Sequence, residues 1–510
     1  MDTKPLIGGE RLVVTLALAL ATFMQVLDTS IANVAIPAIS GDLGVSPTQG
    51  TWVITSFAVS NAIAVPLTGW LARRFGEVRL FAIAILLFTV ASWACGLSTS
   101  IGMLIFFRVV QGAVAGPMIP LSQSLLLAVY PPEKKGTALA LWSMTTLVAP
   151  ISGPILGGWI TDNISWPWIF YINVPVGLLC AYITWDRLRS RETRTFKLPI
   201  DGVGLVLLVV GVGCLQVMLD KGKELDWFHD KLIVTLAVVS TIAIAALVIW
   251  ELTEEHPIVD LQLFARRNFT AGAISISLGY MVFFGSVVIL PLWLQTQLGY
   301  TSTWAGLATA PTGILAIVFS PWVGKNLTRF DGRYLASFSF AIFALCSFWR
   351  ASFNTDASFG YIAMPQLIQG IATAFFFVPL VSITLSGLPP DRIASASGLS
   401  NFLRILAGSF GASLSTTLWD RRAAMHHSQL TEHISAYNRI AAQSIDQLQQ
   451  LGMAPGTAYA TIERLITNQA YMLSTNDVFW LAGWIFLALI PLVWWAKPVP
   501  APKGLVVAAD

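Results

Sequence analysis

Charge is what this chain has least of. Aspartate, glutamate, lysine and arginine make up 11% of its 510 residues, where soluble domains carry roughly 25%. So few ionic groups cannot clothe a water-soluble body of this length. Cysteine is nearly as scarce. The four present, Cys95, Cys180, Cys214 and Cys346, fall within apolar stretches without metal-ligand spacing, which excludes a disulfide framework and a zinc centre. No G-x-x-x-x-G-K-[ST] loop occurs and no polar segment is large enough to bind nucleotide, so ATP-driven and enzymatic readings are set aside. No cofactor is implied.

Apolar sequence fills the space. Hydrophobic residues make up 55% of the chain, gathered into fourteen stretches of about the length, roughly 20 residues, that crosses a hydrocarbon core. They run over 11–36, 50–72, 78–97, 101–129, 137–161, 168–185, 201–219, 232–251, 269–293, 303–325, 333–352, 359–386, 395–419 and 477–496. The pattern predicts an all-α polytopic membrane protein. The first stretch runs past Asn33 to Pro37 with no small-residue cleavage site, so it is expected to be a retained span and not a signal peptide.

Basic residues set the expected orientation. With both termini inside, twenty lysines and arginines fall on inner links, Arg73, Arg74, Lys134, Lys135 and Arg187–Arg194 among them. The short outer links carry Lys221, Lys223, Lys231 and Arg350. This asymmetry predicts cytoplasmic termini, and the net charge of +3 then reports topology and not nucleic-acid binding.

An internal repeat organises the spans. YPPEKKGTALAL (130–141) aligns with LPPDRIASASGL (388–399) at an offset of 258, and RVVQG (108–112) with QLIQG (366–370) at the same offset. Gly69, Arg74, Phe75 and Leu80 echo Gly324, Arg329, Phe330 and Leu335 at 255. The expected plan is a six-span bundle over 1–200, an inserted helical hairpin over 201–256 and a second six-span bundle over 257–510. Such halves should be related by a pseudo-two-fold along the membrane normal, with substrate between them near the midplane.

Ionisable groups within spans cost roughly 2.5–3.5 kcal/mol each on insertion scales and so point to function. Asp28, Arg108 and Arg404 are the ones well inside. At about 1.5 Å per residue, Asp28 and Arg108 lie about 13 and 10 Å below the same outer face, a depth match that allows them to pair. In the second half Gln366 replaces Arg108, and the counterpart of Asp28 falls near Val282 or Phe283. The pair is therefore either a proton relay, needed once, or a static tie between two spans. Gln25, Asn33, Asn61, Gln111 and Gln123 are further polar residues of the first-half spans. With Arg404, they are candidates to line a substrate cavity or to bond between helices.

In APISGPILGG (149–158), Pro150 and Pro154 interrupt a helix whose flank is bared by Gly153, Gly157 and Gly158. Such a helix can pack closely on the other half and seal it during movement, or simply make a close contact. GWLARRFGEVRL (69–80) joins Gly69 and Gly76 to the cations Arg73 and Arg74, as a latch or as a retention signal. The one long polar link, 420–476, holds His426, His427 and His433. Its segments 421–451 and 455–470 read as short amphipathic helices, covering the outer mouth or contacting a partner. No metal site is expected there.

These motifs resemble the major facilitator superfamily, and within it the fourteen-span drug:proton antiporters. LDTSIANVAIP (27–37) is similar to the first-span motif with its acid at Asp28. LIFFRVVQG (104–112) is similar to the fourth-span motif, whose arginine, here Arg108, is implicated in proton transfer. PISGPILGG (150–158) is similar to the exporter motif of span five, and WPWIFYINVPVG (166–177) and PIVDLQLF (257–264) to segments of the fourteen-span branch. The likeness covers nearly the whole chain. It implies a pump of the bacterial inner membrane that exchanges protons for hydrophobic, often weakly acidic toxic compounds. Such pumps work with a periplasmic membrane-fusion adaptor and an outer-membrane channel. Two departures stand out: Arg73 replaces the aspartate usual in the inner-link motif, and Ala149 replaces a glycine at the head of the exporter motif.

Overall fold

The structure, a computed structural model, describes residues 6, 8–197, 199–327, 329–432, 434 and 438–498. Lys4, His433 and Lys503 lie outside the described residues, and Pro154 is described in its backbone alone.

Helices are the only way to satisfy backbone polar groups in hydrocarbon short of a closed barrel, and no strand occurs among the described residues. The first group comprises α1 (Gly8–Asp42), α2 (Pro47–Gly50) and α3 (Trp52–Ala64), which runs through a 3₁₀ turn into α4 (Thr68–Phe75). It continues with α5 (Glu77–Gly96), α6 (Ile101–Ala115), α7 (Met118–Val129), α8 (Lys135–Asn163), α9 (Trp168–Tyr171) and α10 (Asn173–Leu188). A hairpin follows, α11 (Gly202–Lys221) and α12 (Lys231–Thr253). The second group is α13 (Arg267–Thr296), α14 (Ser302–Thr309), α15 (Pro311–Asn326), α16 (Gly332–Arg350), α17 (Phe359–Leu385), α18 (Ile393–Glu432), α19 (Arg439–Gln450) and α20 (Pro455–Trp494).

Among the described residues, twelve helical runs are long and apolar enough to cross a membrane, or thirteen with α8, which bends by 43° between 132–150 and 155–163. The bend falls at Pro150 and Pro154, where the hydrogen-bond ladder is broken. The span expected at 395–419 lies in α18, where serines, glycines and Arg404 dilute the apolar residues. Fourteen spans are compatible with this count.

The repeat reappears in the packing. A β-carbon on Gly112 would strike the carbonyl oxygen of Phe57, and one on Gly370 would strike that of Thr312. These pairs are related by the two offsets in the sequence, 258 and 255, so α6 meets α3 as α17 meets the α14–α15 junction. Each group has its own apolar core, one around Phe81, Phe88 and Trp142, the other around Phe340, Phe343 and Phe376.

The groups touch most closely at the ends that carry the basic loops. A β-carbon on Gly136 of α8 would strike the Gly324 carbonyl of α15, and one on Gly69 of α4 would strike Ser395 of α18. Here glycine is required because two helix backbones are in contact. Farther from the basic ends, α11 sits between α3 and α18. On the α18 side Gln216 Nε2 donates to Ser409 Oγ at 2.8 Å, Ser413 Oγ to the Leu219 carbonyl at 2.8 Å and Trp227 Nε1 to Thr417 Oγ1 at 3.0 Å. Toward α3, Lys221 Nζ donates to Thr51 Oγ1 at 2.9 Å and Thr55 Oγ1 to Asp220. The inserted hairpin is a wedge held by both groups.

The long polar link corrects the sequence reading. Residues 421–432 prolong α18 and 455–470 begin α20, so each is one continuous helix of 40 residues, about 60 Å long and twice the hydrocarbon thickness. Only α19 is a separate amphipathic helix. Arg422 and His426 both reach Asp477 at 2.7 Å, and His427 reaches Glu463 at 2.8 Å. The two long helices are thus clamped side by side. No group of three metal-ligating side chains occurs among the described residues.

Gly136→Leu should hold the basic ends apart. Overpacking costs about 1–3 kcal/mol, so the ratio of this close-packed arrangement to more separated ones should fall about 5- to 150-fold. Electron–electron distance measurements between spin labels on the exposed Lys135 and Lys325 will show this as loss of the short-distance peak.

Candidate functional site

Asp28 is completely buried in α1, and side chains of two other helices, α6 and α10, converge on it. Its Oδ2 accepts from Arg108 Nη1 at 2.6 Å. Its Oδ1 accepts from Gln111 Nε2 at 3.1 Å and from Asn173 Nδ2 at 2.8 Å. Arg108 and Gln111 are three residues apart on α6 and therefore share a face. Asn173 opens α10.

Arg108, also without solvent exposure, is held along its whole length. Its Nε donates to the Val53 carbonyl at 3.0 Å and its Nη1 also to Gln111 Oε1 at 2.7 Å. The guanidinium carbon lies 4.3 Å from the Phe57 ring centre, a cation–π distance. Its Nη2 has no partner. A charge pair taken out of water needs close geometry and extra hydrogen bonds to offset desolvation. This cluster supplies both, and leaves one donor unspent.

Asn173 was not singled out from the sequence, although it lies within WPWIFYINVPVG. It also donates to Ser92 Oγ at 3.0 Å, and Ser92 in turn to the Phe170 carbonyl at 2.9 Å. Gln111, a candidate to line a cavity or to bond between helices, bonds between α6 and α1 in the ion-pair cluster. Its Oε1 also accepts from Cys95 Sγ at 3.7 Å.

A second site lies between the two groups. Arg404 of α18 is buried and donates through Nη2 to Asn401 Oδ1 at 2.7 Å. Trp142, Tyr280 and Phe377 surround the guanidinium at 5.9, 5.4 and 5.7 Å from ring centre to Cζ. Ser397 Oγ donates to Gln123 Oε1 across the interface. Gln123, Trp142, Ser397, Asn401 and Arg404 line a cavity with room for about one water. No carboxylate pairs with Arg404 among the described residues.

The other candidates separate. Gln25 and Asn61 are buried, each with an unpartnered side-chain oxygen. Asn33 is exposed and bonds back to the Thr29 carbonyl.

The glycine flank of α8 corrects an expectation: Gly153 and Gly157 face α1 of their own group. Added β-carbons there would strike Ser30 and stand 2.7 Å from Ile31 Cγ1, while Gly158 has ordinary clearance, 3.9 Å from Val34. The glycine of α8 that meets the other group is Gly136. In the inner-link motif, Arg73 is exposed and lies over the Phe196 ring at 5.9 Å, and its carbonyl accepts from the Phe196 amide. Gly76, at φ 89°, leaves room for Glu192, which caps α5 by accepting from the amides of Val78 and Arg79 at 3.0 and 2.8 Å. The acidic partner of this loop thus comes from the segment after α10. Arg74, half-buried, stands in the same turn.

Arg350 is a further correction. Counted with the outer links from the sequence, it ends α16 with 1% exposure and donates to Gln369. Gln369 is the counterpart of Gln111 at offset 258, and Arg350 of Cys95 at 255. The second group therefore holds a buried cation too, at a different corner of the same repeat.

Residues 18–412 match the Major Facilitator Superfamily. The chain belongs to this superfamily. It is 58% identical over 496 residues to the multidrug export protein EmrB of Escherichia coli (strain K12), with 97% of each chain covered. It is 52% identical over 498 residues to the fatty acid resistance protein FarB of Neisseria gonorrhoeae, with 98% of each covered. This places it among EmrB-type members of the superfamily. A solved facilitator, the proton:xylose symporter XylE, matches at a TM-score of 0.60 and 15% identity over 95% of each chain, a likeness of fold.

Asn173→Ala removes one anchor of Asp28. A double-mutant cycle with Asp28→Asn, read by thermal melting in detergent, should give a coupling of about 0.5–3 kcal/mol. Additive effects would show that Asn173 does not hold the carboxylate.

Proposed function

We propose that this facilitator is a proton-driven multidrug exporter of the bacterial inner membrane, with both termini cytoplasmic. It would move hydrophobic toxic compounds out by alternating access of its two six-helix halves, residues 1–200 and 257–510. The observation that carries this reading is the Asp28–Arg108 pair, a buried carboxylate with a cation beside it. In this reading Asp28 carries the proton, and the Arg108 contacts would rearrange as it is loaded and released. One pH unit supplies about 1.4 kcal/mol and a membrane potential about 2.3 kcal/mol per charge per 100 mV. A titrating group is needed to use either. The kinship with EmrB supports export, and Gly136 against Gly324 supports a conformation closed toward the cytoplasm.

Substrate would occupy the space between the halves around Gln123, Asn401 and Arg404. Arg404, without a carboxylate of its own, favours compounds with an acidic group. A second reading, a proton-coupled transporter of amphipathic acids such as fatty acids, gains support from the same arginine and from the kinship with FarB. The close contact of Gly153 and Gly157 with α1 would serve to transmit movement at Asp28 into α8, whose inner end carries Gly136. The basic turn with Gly69, Arg73, Arg74 and Gly76 would steady the cytoplasmic closure.

For the whole assembly, a periplasmic membrane-fusion adaptor and an outer-membrane channel are the proposed partners. The projecting ends of α18 and α20, with α19 between them, are the proposed contact. Exposed apolar residues there, Ile440, Leu451, Tyr459 and Leu465, suit a protein neighbour.

Asp28→Asn in proteoliposomes should bind a hydrophobic drug and lose proton-driven exchange by about two orders of magnitude or more; retained exchange would remove the assignment. Arg108→Lys should lose much of its transport while still reaching the membrane, because an ammonium cannot span Val53, Gln111 and Asp28 together. Joining Glu432 to Pro455 by a short Gly/Ser linker deletes α19. It should leave exchange in vesicles intact and abolish resistance in cells, whereas loss of both would make α19 a component of the gate.

A further inference from the structure

We propose that Asp201 and Glu251, at the base of the α11–α12 hairpin, hold one proton between them, at a site separate from Asp28 and Arg108. Both are buried, at 9% and 2% exposure. A β-carbon on Gly204 would strike Asp201 Oδ2 and stand 2.8 Å from Glu251 Oε1, so the two oxygens lie within about 5 Å of each other. The glycine makes the room in which they face.

The other oxygens are occupied. Asp201 Oδ1 caps α11 by accepting from the Gly204 amide at 2.9 Å, and both Asp201 oxygens lie 3.0 Å from Trp250 Nε1. Glu251 Oε2 accepts from the Val259 amide at 3.1 Å. The Ile258 amide also points toward this carboxylate, but Glu251 Oε1 makes no hydrogen bond of good geometry. A buried acceptor left unsatisfied costs about 1–3 kcal/mol, and two buried carboxylates at this range do not both stay ionised. A proton on Glu251 Oε1, donated toward Asp201 Oδ2 directly or through one water, removes both penalties.

The neighbouring charges give no other relief. Glu254, at the end of α12, adds negative charge, and Asp260 in the following segment is turned to Arg392 at 3.5 Å. No lysine, arginine or histidine is ion-paired with Asp201 or Glu251 among the described residues. A calcium ion would want six to eight oxygens, and one unpartnered carboxylate oxygen beside the Asp201 carboxylate does not supply them. The proton has a structural consequence. Glu251 anchors Val259, and the adjacent Asp260 reaches Arg392 just before α18, so the protonated pair seats the segment that joins the hairpin to the second half.

Infrared spectra of the full-length protein should show a protonated-carboxyl stretch near neutral pH that shifts in D₂O. Glu251→Gln should remove it and Asp28→Asn should leave it. The folded state then binds a proton that the unfolded chain has released, so stability must fall as pH rises through the loss of this band. The melting temperature of Glu251→Gln should lack that fall. Should Glu251→Gln fail to fold, Asp201→Asn, which ends the repulsion but not the burial of Glu251, should move the fall and the loss of the band to lower pH. Absence of a band removed by Glu251→Gln, or an unchanged pH profile in a folded variant, would overturn the proposal. So would a rise in melting temperature with Na⁺, Mg²⁺ or Ca²⁺ that displaces the band, because it would assign the site to a cation.

Discussion

A carboxylate without solvent contact in the interior of a membrane bundle must be held from several directions or give up its charge. Asp28 is held from α6 and α10, and Arg108 adds a bond to Val53 of α3. The first group is arranged around that requirement. The α6 register puts Arg108 and Gln111 on one face, and Gly112 one residue later lets α3 approach closely enough to offer the Val53 carbonyl and the Phe57 ring. The same cluster ties four helices together, so a change in charge at Asp28 is felt by all of them at once.

The second group has the same scaffold and a different solution. Where Asp28 would repeat, Val282 and Phe283 pack with Tyr280 and Phe343, and no carboxylate needs holding. Besides Arg404, the second group buries Arg350, set against Gln369 where the first group sets Cys95 against Gln111. One ancestral contact between two helices has thus been kept as geometry while its chemistry diverged, with a weak thiol donor on one side and a permanent charge on the other.

Much of this was legible in the residues because the bilayer imposes a simple code. Apolar length marks the spans, basic residues gather at one set of their ends, and equal depth from one face brings Asp28 and Arg108 together. The code fails where its signals are silent. Arg350 lies at a span end, where a cation reads as a loop charge whether buried or not. Asn173 is a neutral polar residue at a helix start and carries no insertion penalty large enough to draw notice. Glycines on α8 announce a bare flank without naming the helix that fills it, so the sequence assigned to the other half a contact that α1 makes. Hydropathy also stops at the membrane surface. It could not show that α18 and α20 continue unbroken beyond it, since a polar helix that prolongs a span and a separate polar helix have the same average hydropathy.

The wedge position of α11 alters the mechanics of the molecule. Two rigid halves in direct contact can rock about a common line, as a door does on its frame. Along the edge where α11 stands, the halves meet through an intermediary bonded to Ser409, Ser413 and Thr417 on one side and to Thr51 and Thr55 on the other. The angle between α3 and α18 cannot change without one of these rows yielding. On the opposite edge α8 meets α15 directly, at Gly136 and Gly324, and no side-chain hydrogen bond joins the two among the described residues. In the rocking motion proposed above, the insertion would make a lopsided rocker of three bodies from a symmetric one of two. It would have a stiff edge at α11 and a freer edge at α8 and α15.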